Sequence, residues 1–265
     1  MSDTQGERQT GLLPEIDWRR LYTLGAIAAL VALAGTLADI VIAMIPGWGS
    51  DTVPTPIEQW FTQLRVNPLL GLRNLDLLNI TVSAVGLPMY VALYGTHRNA
   101  SPGYAALALV FEAVGTGVFI ANNAALPMLE LSRKYAAAST EAQRWVLQGA
   151  GEALLAKGAH GSMGAFIGFF LSSIGTLLMT VAMARGRVFG HPVAYTGMLG
   201  ISLLLVYLIG SLFARERNGL LMAVATFGGL LMIAWNVMIA RRLMQLGNAA
   251  NHWCLDAPST RDFHE

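Results

Sequence analysis

The chain is 265 residues long; 54% of them are hydrophobic and 12% charged, with a formal net charge of +1, against about 25% charged in an ordinary soluble domain. Its 17 Lys and Arg residues are scattered rather than gathered on one face, so nothing points to a nucleic-acid partner. The single cysteine, Cys254, excludes an intrachain disulfide and a multi-cysteine zinc site.

The apolar residues concentrate in six blocks, 21–45, 70–94, 104–126, 161–184, 193–213 and 220–240. Each block comes up to the ~20 residues that an α-helix needs to cross a bilayer. Alternating, strand-like patterning is absent, which argues against a β-barrel. The predicted fold class is therefore all-α, a polytopic transmembrane bundle. Six membrane-spanning helices occupy 21–245, between an N-terminal tail, 1–20, and a polar C-terminal tail, 246–265.

In chain order, Arg19 and Arg20 precede a first apolar run that is too long for the roughly 7–15-residue core of a secretory signal, so they read as the basic anchor of a retained helix. Asp39 lies toward the far end of that helix. The connection 46–67 carries Pro56, Ile57, Trp60, Phe61 and Leu64 on a short amphipathic face, which suits a lid, an interfacial anchor or a plain connector. Within the second block, Arg73, Asp76, Asn79, Ser83, Gly86 and Tyr90 recur at alternating steps of three and four. The spacing predicts one polar face on a single helix, and that face cannot look at lipid. On the third helix Glu112 shares a face with Thr116, Phe119 and Asn123. At ~1.5 Å per residue it stands about 14 Å from the near end of the helix, close to the bilayer midplane. A carboxyl group there must be paired, protonated or facing a wet cavity.

The connection 130–159 is expected as a second long loop, with Trp145 and Val146 opening another short apolar pattern. His160 caps the fourth helix, and Glu152 lies two turns earlier. Gly161, Gly164, Gly168 and Gly175 on that helix, with Gly115 and Gly117 on the third, predict close helix packing. Arg217 and Asn218 stand at the start of the sixth helix, and Asn236 is its main interior polar residue. His252, Cys254 and Asp256 in the C-terminal tail make only a weak metal pattern. The second and third helices, joined by a short basic turn ending in Pro, resemble the fourth and fifth, as an internal repeat would. Any tight hairpin of this kind needs the same residues.

Arg19, Arg20, Arg98, Arg185, Arg187, Arg241 and Arg242 sit hard against helix ends on one side. Arg65, Arg73, Arg133, Lys134, Arg144, Lys157, Arg215 and Arg217, mixed with acids, fall on the other. Numbers nearly balance, and position favours both termini in the cytoplasm of a bacterial cell, with the protein in the cytoplasmic membrane. On that topology the polar side chains describe a funnel open to the outside. Asp39, Asp76, Asn79, Glu112, Asn123 and His160 are the residues expected to line it and to bind a small or lipid-like molecule. Asp76 and Glu112 would hold a polar head group or a proton, and His160 would respond to pH. A transporter version would move a proton or ion through Glu112, although only Pro88 interrupts a span.

Two other readings stay open. The chain could be an intramembrane enzyme acting on a lipid or isoprenoid, with Asp76 or Glu112 and His160 as acid and base. Third, it could be an accessory subunit whose polar groups only fix helix packing, Arg73 neutralising Asp76, or pairing with Asp39 or Glu112. The five histidines, at 97, 160, 191, 252 and 264, cannot build a three-His zinc site, and no Gly-x-Ser-x-Gly elbow supports a serine nucleophile. No metal is expected, and no haem, flavin or nucleotide signature calls for a cofactor. Membrane lipids are expected partners, with self-association left open.

The run from Glu112-Ala-Val-Gly through Ala121-Asn-Asn-Ala-Ala-Leu-Pro-Met-Leu-Glu-Leu-Ser-Arg-Lys-Tyr-Ala, followed by Glu141-Ala-Gln-Arg and the Gly-rich fourth helix, resembles a family of bacterial six-helix integral membrane proteins of unknown function. The resemblance covers roughly residues 20–245. It implies the six-helix fold and carries no activity over to particular residues.

Overall fold

The structure, a computed structural model, describes residues 18–49, 52–186, 188–213 and 219–248. Ten helices follow one another among them: α1 (Trp18–Ala43), α2 (Ile57–Val66), α3 (Pro68–Asn74), α4 (Leu77–His97), α5 (Pro102–Asn122), α6 (Ala125–Ala137), α7 (Glu141–Gly158), α8 (Met163–Arg185), α9 (Gly190–Phe213) and α10 (Gly219–Asn248). Six stretches are long and apolar enough to cross a membrane. The spanning helices within them are α1, α4, α5, α8, α9 and α10. This is an all-α bundle and a multi-pass membrane protein. Arg187, Arg215, Arg217, Asn218, His252, Cys254 and Asp256 lie outside the described residues.

Each spanning helix packs on the next, α1 on α4, α4 on α5, α5 on α8, α8 on α9 and α9 on α10, and α10 returns to α1. The ring so formed is tightest between α5 and α8, because glycines bring their backbones together. A Cβ on Gly175 would stand 2.8 Å from the Glu112 amide nitrogen and 2.9 Å from the Ala108 carbonyl oxygen. Side chains of Tyr90, Leu93, Met179, Met183, Trp235, Ile239 and Leu243 fill the ring toward the end at which α4 meets α5 through the short turn 98–101, which we call the turn end.

At the opposite end α2, α3, α6 and α7 gather into a cap. The amphipathic face of α2 (Ile57, Trp60, Phe61, Leu64) is buried there against Leu75, Ala124, Ala125 and Met128, not laid on a membrane surface. The segment 130–159, expected as a loop, is helical. Thr140 caps α7 by accepting from the Gln143 amide at 3.2 Å, a local signal that ends the α6–α7 turn. Charges distributed along α6 and α7 (Glu130, Arg133, Lys134, Arg144, Glu152, Lys157) keep both outside the hydrocarbon layer. Trp145 and Val146 project from α7 largely exposed.

Two expected helices are broken at the cap. The block 70–94 does not form one helix. Asn67 caps α3 by accepting from the Leu70 amide at 3.2 Å, Pro68 opens it, and it stops at Asn74. The chain then turns through Asp76, whose φ of 62° makes it the one non-glycine residue in left-handed conformation among those described, before α4 begins. Aspartate is one of few side chains that tolerate that conformation. Arg73 and Asp76 therefore belong to different helices and do not pair across one turn. The block 104–126 likewise ends at Asn122, and α6 starts anew at Ala125. Asn123 ties the two breaks together: its Nδ2 donates to the Leu75 carbonyl at 2.7 Å and its Oδ1 accepts from the Ala125 amide at 2.8 Å.

Candidate functional site

The polar residues at the cap end sort into three groups. In the first, Arg73 of α3 donates through Nε to Asp39 Oδ1 at 3.1 Å and through its terminal nitrogens to the Trp48 and Asp39 carbonyls. One guanidinium thus binds α1, the turn after it and α3. Truncating it strands a half-buried carboxylate, and hydrogen bonds to charged groups contribute about 1.5–3 kcal/mol each. Arg73→Ala should therefore lower stability by about 2 kcal/mol, and Arg73→Lys by nearly as much because an ammonium cannot serve three acceptors spread across that fork. Thermal unfolding in detergent checks both.

The second group holds the cap to itself. Asn74 donates to Gln63 Oε1 at 3.2 Å and to the Thr52 carbonyl at 3.3 Å, while Gln63 Nε2 donates to the same carbonyl at 2.8 Å.

The third group is the one with free chemistry. The left-handed turn aims the Asp76 side chain inward, where it is 6% exposed. One carboxylate oxygen accepts from Asn79 Nδ2 at 2.8 Å, and the other meets His160 Nδ1 at 2.9 Å. His160 sits in the turn before α8, outside the spanning segment. Ser162 fixes that turn by accepting from the Ala165 amide at 3.3 Å. The imidazole itself is 69% exposed, and its Nε2 has no partner among the described residues. The Asp76 hydrogen bond, aided by the charges of Asp76 and Asp39 and opposed by burial, raises the His160 pKa above its usual value.

His160 also borders a cleft of about 300 Å³ between α8 and α9, at the small end of the ~300–1,000 Å³ typical of ligand sites. Phe166, Phe169 and Ser173 of α8 face Leu204, Tyr207 and Ser211 of α9 across it. Its wall is mostly apolar, with hydroxyls spaced along its length.

The structure thus brings Asp76, Asn79 and His160 together, and places Asp39 with Arg73 and Asn123 on backbone. Glu112 stands apart, about 16 Å down α5 from Asn123 at ~1.5 Å per residue. Between them, Ser83 returns its hydroxyl to the Asn79 carbonyl at 2.9 Å. The cleft residues on α8 and α9 were not anticipated. Their one sequence signal is the spacing of Leu204, Tyr207, Leu208 and Ser211, which puts two hydroxyls on a single face of an apolar helix. Among the described residues no three His, Cys, Asp or Glu side chains come close enough to share a metal ion.

Comparison of the chain with protein-family models, with curated proteins and with solved structures gives no match. What the chain is follows from its own residues: a multi-pass membrane protein with an aspartate-held histidine at the mouth of an apolar cleft.

Proposed function

We propose that the α8–α9 cleft binds a lipid-like molecule, with its apolar part between Phe166, Phe169 and Leu204 and its polar head at His160. The observation that carries this reading is the position of His160: Asp76 holds Nδ1, and the ring, whose Nε2 has no partner among the described residues, borders an apolar cleft. Protonated, that nitrogen offers a charged donor to a phosphate or carboxylate head group. Asn79 and the buried Asp76 orient the ring, and Tyr207 and Ser173 supply hydroxyls further in. In this reading the protein sits in a bacterial cytoplasmic membrane with its cap outside. Support for that orientation comes from the turn end, where Arg19, Arg20, Arg98 and Arg185 stand at the ends of α1, α4 and α8, as basic residues do on the cytoplasmic side.

Native mass spectrometry of the gently extracted protein tests the site. A discrete bound mass should accompany the wild type and weaken in His160→Ala and in Ser173→Trp, which fills the cleft. A bare protein, or the same bulk phospholipid in all three, would overturn the reading. A second reading uses the same atoms: an imidazole whose Nδ1 is fixed by a carboxylate presents Nε2 as a general base, so a lipid-cleaving or lipid-isomerising enzyme would lose turnover, but not binding, in His160→Gln.

A further inference from the structure

A second constellation lies at mid-depth in the bundle, away from the cleft. Glu112 of α5 is 8% exposed, and its Oε2 has no hydrogen-bond partner among the described residues. Thr116, one turn along the same face, is 1% exposed, and its hydroxyl is also unpartnered. This is unusual within the chain. Thr36, Thr81 and Thr180 each return their hydroxyl to a carbonyl of their own helix. Tyr90 of α4 and Thr176 of α8 complete the group: their hydroxyl oxygens are 2.6 Å apart, and Gly175, next to Thr176, lies directly against the Glu112 backbone. Three helices therefore bring one carboxyl group and three hydroxyl groups into the same buried layer of the bundle.

Among the described residues no charged side chain pairs with that carboxyl group. The other charged or basic side chains described on the spanning helices stand near helix ends: Arg19, Arg20 and Asp39 on α1, His97 on α4, Arg185 on α8, His191 on α9, Arg241 and Arg242 on α10. Along the helices that form the group, His97 lies seven residues past Tyr90 and Arg185 nine past Thr176, about 10 and 14 Å at ~1.5 Å per residue. His97 Nδ1 is engaged by the Leu93 carbonyl, and Arg185 lies over Tyr104. A bare carboxylate at hydrocarbon depth is costly, so its charge calls for a proton or a cation that the chain itself does not supply.

We propose that Glu112, Thr116, Tyr90 and Thr176 form a binding site for a small monovalent cation, sodium. The charge argument is direct. One carboxylate with neutral hydroxyls balances one positive charge, whereas a divalent ion would leave an excess charge in a dry interior. Oxygen-only ligation suits a hard cation. Gly115, Gly168 and Gly175 bring α5 and α8 so close that a Cβ on any of them would meet the facing backbone at 3.0 Å or less, and parting so tight a seam for sodium disturbs it less than for the larger potassium ion. The site draws ligands from α4, α5 and α8, so occupancy locks those helices together, and the ion stabilises the folded protein by mass action.

Thermal unfolding of the purified protein, at one mildly alkaline pH and constant ionic strength, reads this out. Replacing choline chloride by sodium chloride should raise the melting temperature by about 3 °C or more at saturation, with potassium chloride giving less. Glu112→Gln and Thr116→Val, both close to isosteric, should abolish the sodium shift, and His160→Ala should keep it, which separates this site from the cleft. Identical melting of the wild type in sodium and choline would overturn the proposal in favour of a site that holds only a proton. So would a sodium shift that survives in both variants, or in Thr116→Val alone if Glu112→Gln fails to fold.

Discussion

Replacing Asp76 by valine should cost the protein about 3 kcal/mol or more, and replacing it by asparagine distinctly less. Valine loses on two counts. A β-branched residue is strained at a φ of 62°, where even an unbranched L-residue pays roughly 1–2 kcal/mol. It also strips Asn79 and His160 of their acceptors. Asparagine tolerates the left-handed turn and keeps an acceptor for Asn79, but it removes the charge. That difference makes the pair visible in pH dependence. His160 binds its proton more tightly in the folded protein than in the unfolded chain, because Asp76 raises its pKa. The pair's contribution is therefore fully present below the unfolded value of about 6.5, and is lost as pH rises through the raised folded value. Wild-type melting temperature should fall across that window, by a modest amount because the imidazole is exposed and solvent screens it. In Asp76→Asn and His160→Ala the fall should flatten. An equal fall in all three proteins would mean that some other group titrates there.

The sequence alone makes the spanning helices legible because a bilayer demands a length of apolar chain that little else explains. It is less informative where the helices stop. Steps of three and four from Arg73 through Asp76 to Tyr90 fit a continuous helix as well as two helices joined at Asp76. Only the backbone at that residue decides, and its local signs, Asn67 and Pro68, lie upstream. The cap helices α6 and α7 escape a hydropathy reading because they are too polar, although Thr140 followed by Gln143 marks a helix start. The convergence of Asp76 with His160, 84 residues apart in sequence, depends on both turns and cannot be read from either. Glu112 is the opposite case. A lone acid inside an apolar helix announces itself, and its helix face already pointed to Thr116, but Tyr90 and Thr176 come from helices whose rotation no local pattern fixes.

One chemical change made at two glycines should have opposite effects. Gly158→Ala should destabilise by about 3 kcal/mol, at the upper end of what overpacking usually costs, whereas Gly117→Ala should be neutral or stabilise by about 0.5–1 kcal/mol through helix propensity. At Gly117 an added Cβ meets nothing within 4 Å. At Gly158, the last residue of α7, the Cβ would fall on the Asn122 carbonyl oxygen and stand 2.8 Å from the Ala124 amide nitrogen. Those atoms are backbone and cannot swing aside. They belong to the break between α5 and α6, the same break that Asn123 ties to the Leu75 carbonyl, one residue before Asp76. Relief must therefore come from moving α7, and α7 leads directly into His160. The stability loss should for that reason carry a second signature: in Gly158→Ala the fall of melting temperature with rising pH should weaken, because the His160–Asp76 distance of 2.9 Å opens. Loss of stability with the pH dependence intact would mean that the turn 159–162 absorbs the shift and that the pair is held by α8 alone.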